Sequence, residues 1–89
     1  MLRSVITITN KLGLHARASA KLTKLAGAHQ CDVHLSRNGR RVNAKSIMGV
    51  MMLAAGAGSS VEIETDGADE VQAMAALREL IDGKFGEGE

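Results

Sequence analysis

Aromatic residues are nearly absent from this chain: it has no tryptophan, no tyrosine and one phenylalanine, Phe85. Its core must therefore be aliphatic. Strands without aromatic side chains offer no platform for base stacking. The arginines at 37, 40 and 41 thus predict a solvated hairpin tip or part of a partner-docking surface, and no nucleic-acid grip. Cysteine is equally scarce. With Cys31 alone, an intramolecular disulfide is excluded and a secreted disulfide scaffold has no support. His29, Cys31 and His34 lie close together, but residues three apart on a strand face opposite ways and no second cysteine pair completes a tetrahedral site. No metal is expected, and Cys31 reads as a small core residue.

Other absences narrow the function. The chain shows no P-loop, no His-Glu-x-x-His and no serine elbow. It has little length for a deep pocket, so a catalytic enzyme is not expected, and neither is a cofactor. Residues 1–7 alternate like a strand and lack the apolar run of a signal peptide. Residues 47–57 are apolar but too short to cross a bilayer. The expectation is a soluble, cytoplasmic monomer with no membrane insertion.

What is present suffices for one domain over residues 1–89. The hydrophobic share is 45%, enough for a packed core and too much for disorder. Net charge is only +1, but it is unevenly spread. Residues 1–60 contain one acid, Asp32, against Arg3, Lys11, Arg17, Lys21, Lys24, Arg37, Arg40, Arg41 and Lys45. The acids crowd the remainder. A basic surface suited to an acidic partner is one consequence.

Periodicity orders the chain. Residues 2–9 predict a strand with Ile6 and Ile8 on one face, and residues 16–26 predict a helix that Gly27 ends. Residues 31–37 predict a second strand, with Cys31, Val33 and Leu35 inward. Asn38-Gly39 is a two-residue hairpin signal leading to a third strand over 40–44. Ser46 is a good N-cap for a short helix from Ile47 to about Leu53. Residues 61–65 alternate as a half-buried strand. A last helix starts near Asp69 or Glu70, where Asp69 and Gln72 have capping-box spacing, and buries Val71, Met74, Leu77 and Ile81. Residues 83–89 read as a terminator and frayed tail. The order β-α-β-β-α-β-α predicts an α+β protein, an antiparallel sheet covered on one side by helices.

Two stretches carry candidate chemistry. Gly13-Leu14-His15-Ala16-Arg17 delivers a histidine to the start of a helix, where backbone N–H groups lack intrahelical partners and the dipole favours an anion. Arg17 falls in the first turn, where a cation is mildly unfavourable for the helix itself. The combination suits a phosphoryl group carried on the imidazole. The second stretch is Ile47-Met48-Gly49-Val50-Met51-Met52-Leu53, apolar nearly all round. Val50 and Met52 can fill core. Ile47, Met48 and Met51 are then left to form an adaptable docking patch, or are simply exposed.

Leu12-Gly13-Leu14-His15-Ala16-Arg17 and Lys45-Ser46-Ile47-Met48-Gly49-Val50-Met51 resemble, at matching spacing, the active-site and regulatory-serine segments of the HPr family. These are the histidine-containing phosphocarriers of the bacterial phosphoenolpyruvate-dependent sugar phosphotransferase system. The resemblance implies an open-faced β-sandwich, a four-stranded antiparallel sheet with three helices on one face. It implies that His15 takes phosphate on Nδ1 from phosphorylated enzyme I and passes it to enzyme IIA domains, with Arg17 beside the phosphoryl group. The N–H at Ala16 would help to stabilise that group. Ser46 would be the target of HPr kinase/phosphorylase where that enzyme exists, and Ile47, Met48 and Met51 would help dock partners. Many relatives have proline where this chain has Ala18, a feature also like the nitrogen-related paralogue, NPr. The Lys-Ser-Ile-Met-Gly context points to the sugar-type branch. The other alternative is a regulatory binding module controlled at Ser46, with His15 idle.

Overall fold

Alternation decides the sheet. In the computed structural model, which describes residues 1–86, β1 spans Leu2–Thr7, β2 Asp32–Arg37, β3 Arg40–Asn43 and β4 Ser60–Asp66. Each strand turns its apolar set to one side, so Ile6, Val33, Leu35, Val61 and Ile63 are all buried there. The strand order is β1-β4-β2-β3, antiparallel throughout. Helices α1 (Ala16–Gly27), α2 (Ile47–Met52) and α3 (Glu70–Asp82) supply the apolar surface that covers this face. From α1 come Ala18, Leu22 and Ala26, from α2 Val50, and from α3 Ala73, Met74, Leu77 and Ile81. The expected α+β open-faced sandwich is the observed one.

The uncovered face holds a charge cluster. Glu64 lies in the central strand β4 and points away from the core, yet it is only 6% exposed. Arg41 covers it, donating from Nη2 to Oε2 at 2.8 Å, and Arg3 lies 3.7 Å away on the other side. The Arg41 guanidinium holds the Glu64 carboxyl below its ordinary range, and Arg3 adds to the effect. Clean half-burial of this strand was the expectation, and the arginine heads are why Glu64 departs from it.

Boundaries shift for identifiable reasons. The first strand ends at Thr7, not at residue 9, although pairing persists through Ile8: its N–H donates to Ser59 and its carbonyl accepts from Gly58. Gly27 does not stop α1, because it belongs to the last turn, and the cap is Ala28 in ordinary helical geometry. The capping box at Asp69 and Gln72 does not form. Asp69 makes no cap bond to α3 and reaches instead across the fold, accepting from the N–H groups of Gln30 at 2.9 Å and Cys31 at 2.8 Å. Val71 is not in the buried stripe but 64% exposed, since Ala73 takes the inward position.

The chain end requires the largest correction. Residues 83–86 are not a frayed tail. Lys84–Gly86 form a 3-10 turn, with Lys84 and Phe85 both at positive φ, and Phe85 is 1% exposed. Lys21 of α1 donates from Nζ to the Phe85 carbonyl at 2.6 Å. The only aromatic ring in the chain therefore closes the core, while residues 87–89 of the expected tail lie outside the described residues.

Candidate functional site

The histidine loop is built from buried polar contacts. Asn10, fully buried, donates from Nδ2 to the carbonyl of Gly13 at 2.8 Å, and its own carbonyl accepts from the Gly13 N–H at 3.2 Å. Gly13 has φ +63, and a Cβ there would lie 2.5 Å from the Ala55 carbonyl oxygen and 2.6 Å from the Gly56 Cα. Only glycine meets both demands. The next residue, Leu14, donates to the Ala55 carbonyl at 2.8 Å, which fastens the loop to the segment leaving α2. Ser19, buried in the second turn of α1, closes the other side by donating from Oγ to the Leu14 carbonyl at 3.0 Å.

This framework sets His15 as the N-cap of α1, extended at φ −71 and ψ 177. Its carbonyl accepts from Ser19 N–H at 2.8 Å, the first bond of the helix. Its Nδ1 accepts from the backbone N–H of Arg17 at 3.3 Å. A ring nitrogen that accepts a hydrogen bond presents a lone pair, so the neutral imidazole carries its proton on Nε2. His15 is half-buried; Ala16 and the side chain of Arg17 are exposed. Nδ1 thus stands at the positive end of a twelve-residue helix, with a guanidinium two residues away. Chemically, such a nitrogen can attack an electrophilic phosphorus, and the N–H groups beside it can receive the oxygens that arrive.

Ser46 is the N-cap of α2, as expected. Its Oγ accepts from the Gly49 N–H at 3.2 Å and its side is exposed. Beyond it Ile47 is 39% exposed, Met48 66% and Met51 39%. Met52 does not fill core; at 57% exposure it joins them, and Val50 alone of this helix is buried. Because α1 packs on α2 and Leu14 is tied to Ala55, the histidine loop and this apolar surface belong to adjoining elements. The carbonyls at the other end of α2 are met from the hairpin. Arg37 donates to Leu53 at 3.0 Å and Arg40 to Met52 at 3.1 Å.

The structure puts His15 and Ser46 at helix N-caps, Arg17 in the first turn of α1 and Met48 and Met51 at the surface; sequence reasoning did not single out Asn10 and Ser19. Neither carries a spacing signal; each reads as an ordinary polar residue until the loop closes around it. Cys31 is buried while His34 lies on the open face, and no three of His, Cys, Asp or Glu come together as a metal site among the described residues. No helix among them is long and apolar enough to cross a membrane.

A histidine at a helix N-cap on an open-faced α+β sandwich is the arrangement expected of a phosphohistidine carrier, and comparison with known proteins supplies the class. The family described as "PTS HPr component phosphorylation site" matches residues 2–83. The chain is 68% identical to the phosphocarrier protein HPr of Cupriavidus necator over 89 residues, the whole of both chains. It is 60% identical, again over the whole of both, to the phosphocarrier protein HPr of Neisseria meningitidis serogroup B. Among solved structures, HPr-C-His from Thermoanaerobacter tengcongensis superposes with a TM-score of 0.95 at 41% identity, covering 98% of each chain. An HPr from Bacillus anthracis superposes with a TM-score of 0.87 at 38% identity, covering 90% of this chain and 95% of its own. The chain belongs to the HPr family. It is a phosphocarrier of the phosphotransferase system, a non-catalytic intermediate in phosphoryl transfer whose partners are enzyme I and enzyme IIA domains.

Proposed function

We propose that His15 carries the phosphoryl group on Nδ1 and that Arg17 and the N–H groups of Ala16 and Arg17 stabilise it there. The observation that carries this is the hydrogen bond from Arg17 N–H to His15 Nδ1, which aims the lone pair at the helix N-terminus. Phosphoryl transfer needs in-line positioning and neutralisation of charge on the moving oxygens. On attack, the Nδ1 lone pair forms the N–P bond as the bond to the donor nitrogen of enzyme I breaks, and that nitrogen keeps its electron pair. The arriving oxygens displace Nδ1 as acceptors of the Arg17 N–H and gain the guanidinium. The group remains at the surface, because the acceptor IIA domain must approach the same phosphorus from solvent.

In this reading the protein acts in the cytoplasm as one domain and a monomer, docks through Ile47, Met48 and Met51, and is regulated by phosphorylation of Ser46 where HPr kinase/phosphorylase exists. Incubation with phosphoenolpyruvate and enzyme I, of the sugar type and the nitrogen type in parallel, tests the core of it. The expected product is an acid-labile, base-stable phosphate on His15, formed faster with the sugar-type enzyme. His15→Ala should lose all of it and melt within about 1 kcal/mol of the parent, the usual worth of an N-cap contact. A His15→Ala protein that accepts phosphate at a comparable rate would overturn the assignment.

A further inference from the structure

The β2–β3 hairpin carries three arginines, and only one is neutralised. Arg41 meets Glu64 on the open face. Arg37 and Arg40 stand directly opposite each other in the ladder, and no carboxylate lies within ion-pair distance of either among the described residues. Like charges paired across two strands are unfavourable, so the arrangement needs a reason. Part of it is the end of α2, whose Leu53 and Met52 carbonyls each accept one N–H, from Nη1 of Arg37 and of Arg40 respectively. A guanidinium has five donors in a rigid fork. One bond therefore fixes each fork in place and leaves four donors available.

Those donors border a cavity of about 220 Å³ lined by Arg37, Asn38, Arg40, Met52 and Leu53. It is smaller than the ~300–1,000 Å³ of pockets that hold drug-sized ligands, and several times the ~30 Å³ share of one water. The turn that separates the two arginines is stiff, since Asn38 at φ +52 and Gly39 at φ +80 form a two-residue hairpin loop. The negative end of α2 opposes an anion, but a six-residue helix sets at most about half a charge against two full cations. Two guanidiniums, each held by one bond to the end of α2, beside a small polar cavity that Asn38 also lines match a tetrahedral oxyanion, which Arg forks grip by paired N–H···O bonds.

We propose that this cavity binds a phosphate dianion, free or as a small phosphomonoester, held by Arg37 and Arg40 with the Asn38 amide as a further donor. The site lies at the opposite end of α2 from Ser46, about 9 Å of helix away, and uses neither His15 nor Arg17. An NMR titration of amide shifts in the full chain tests it, with inorganic phosphate in one arm, glycerol 3-phosphate in another and sodium chloride at matched ionic strength as control. Saturable shifts at residues 37–40 and 52–53, separate from the response of the Ala16 and Arg17 amides at the start of α1, are expected with phosphate, with the ester, or with both. Saturation in one arm alone identifies that form as the ligand. The double variant Arg37→Gln, Arg40→Gln should weaken this binding at least tenfold. It should leave the response of the Ala16 and Arg17 amides to phosphate unchanged. Should the double variant fail to fold, Arg40→Gln alone, an exposed side chain, should give a several-fold loss. Hairpin shifts that grow linearly in both arms, that sodium chloride reproduces, or that persist in the folded variant would overturn the proposal.

Discussion

A methyl group is enough to test the histidine loop. Gly13→Ala would place its Cβ 2.5 Å from the Ala55 carbonyl while holding φ at +63, so both the turn and the Leu14–Ala55 bond must give way. A loss of roughly 2–4 kcal/mol is expected from strain of this kind, with slower phosphorylation by enzyme I even where the protein is still folded; urea unfolding and transfer kinetics read the two effects. Asp69 gives a pH-dependent counterpart. Bonds from the backbone N–H of Gln30, opposed by partial burial and reinforced by Cys31, hold its carboxyl at about 2 instead of 3.8. The folded-state value is depressed, so its stabilisation is complete above pH 3.8 and fades as the pH falls towards 2. Asp69→Asn should therefore flatten the acid-unfolding curve in that window while lowering stability at neutral pH. A parent and variant with parallel curves from pH 4 to 2 would refute this. Neither the clamp nor the cross-fold carboxylate was legible in the sequence. Asp69 has the spacing of a local cap, and only the approach of residues 30 and 31 makes the long-range partners better ones.

Short elements can be judged by their ends, and α2 is the instructive case. Ser46 presents its hydroxyl to the Gly49 N–H, so Ser46→Ala should cost about 1 kcal/mol. Ser46→Asp keeps an acceptor and adds a charge that the helix N-terminus favours. Its melting temperature should stay near that of the parent. The same charge stands beside Ile47, Met48 and Met51, and removing its hydration against an apolar partner is costly. Phosphotransfer from enzyme I should slow mainly through weaker binding, a rise in KM larger than the fall in kcat. A much lower melting point, or undiminished transfer at low protein concentration, would refute the docking account. The start of this element was legible because a serine N-cap is a local signal, whereas a helix apolar nearly all round has no period to show that Met52 faces solvent. The far end was not legible. That Arg37 and Arg40 close on the α2 carbonyls depends on how the hairpin folds over the sheet, and no spacing rule encodes that.

At the scale of the molecule, the pattern of apolar residues was sufficient for four strands and three helices on one face. It could not order the strands, since alternation tells which side of a strand is buried and nothing about its neighbours. Nor did it rescue Phe85, because a lone aromatic among glycines, lysine and glutamates has the composition of a tail. Phe85→Ala should cost about 3–5 kcal/mol, a large share of the ~5–15 kcal/mol that holds a domain of this kind together. A midpoint in urea close to that of the parent would show that the ring is not part of the core. The position of β4 carries a different consequence. Both β1 and β2 pair with β4, and they do not pair with each other. During synthesis the histidine loop, α1 and the β2–β3 hairpin all leave the ribosome before the strand that joins them exists. Until residues 60–66 emerge, two sheet fragments have open edges and their apolar faces have no common plane. The sheet that supports the histidine loop can therefore be completed only after residues 60–66 are available, and a product truncated before residue 60 lacks the strand that joins β1 to β2.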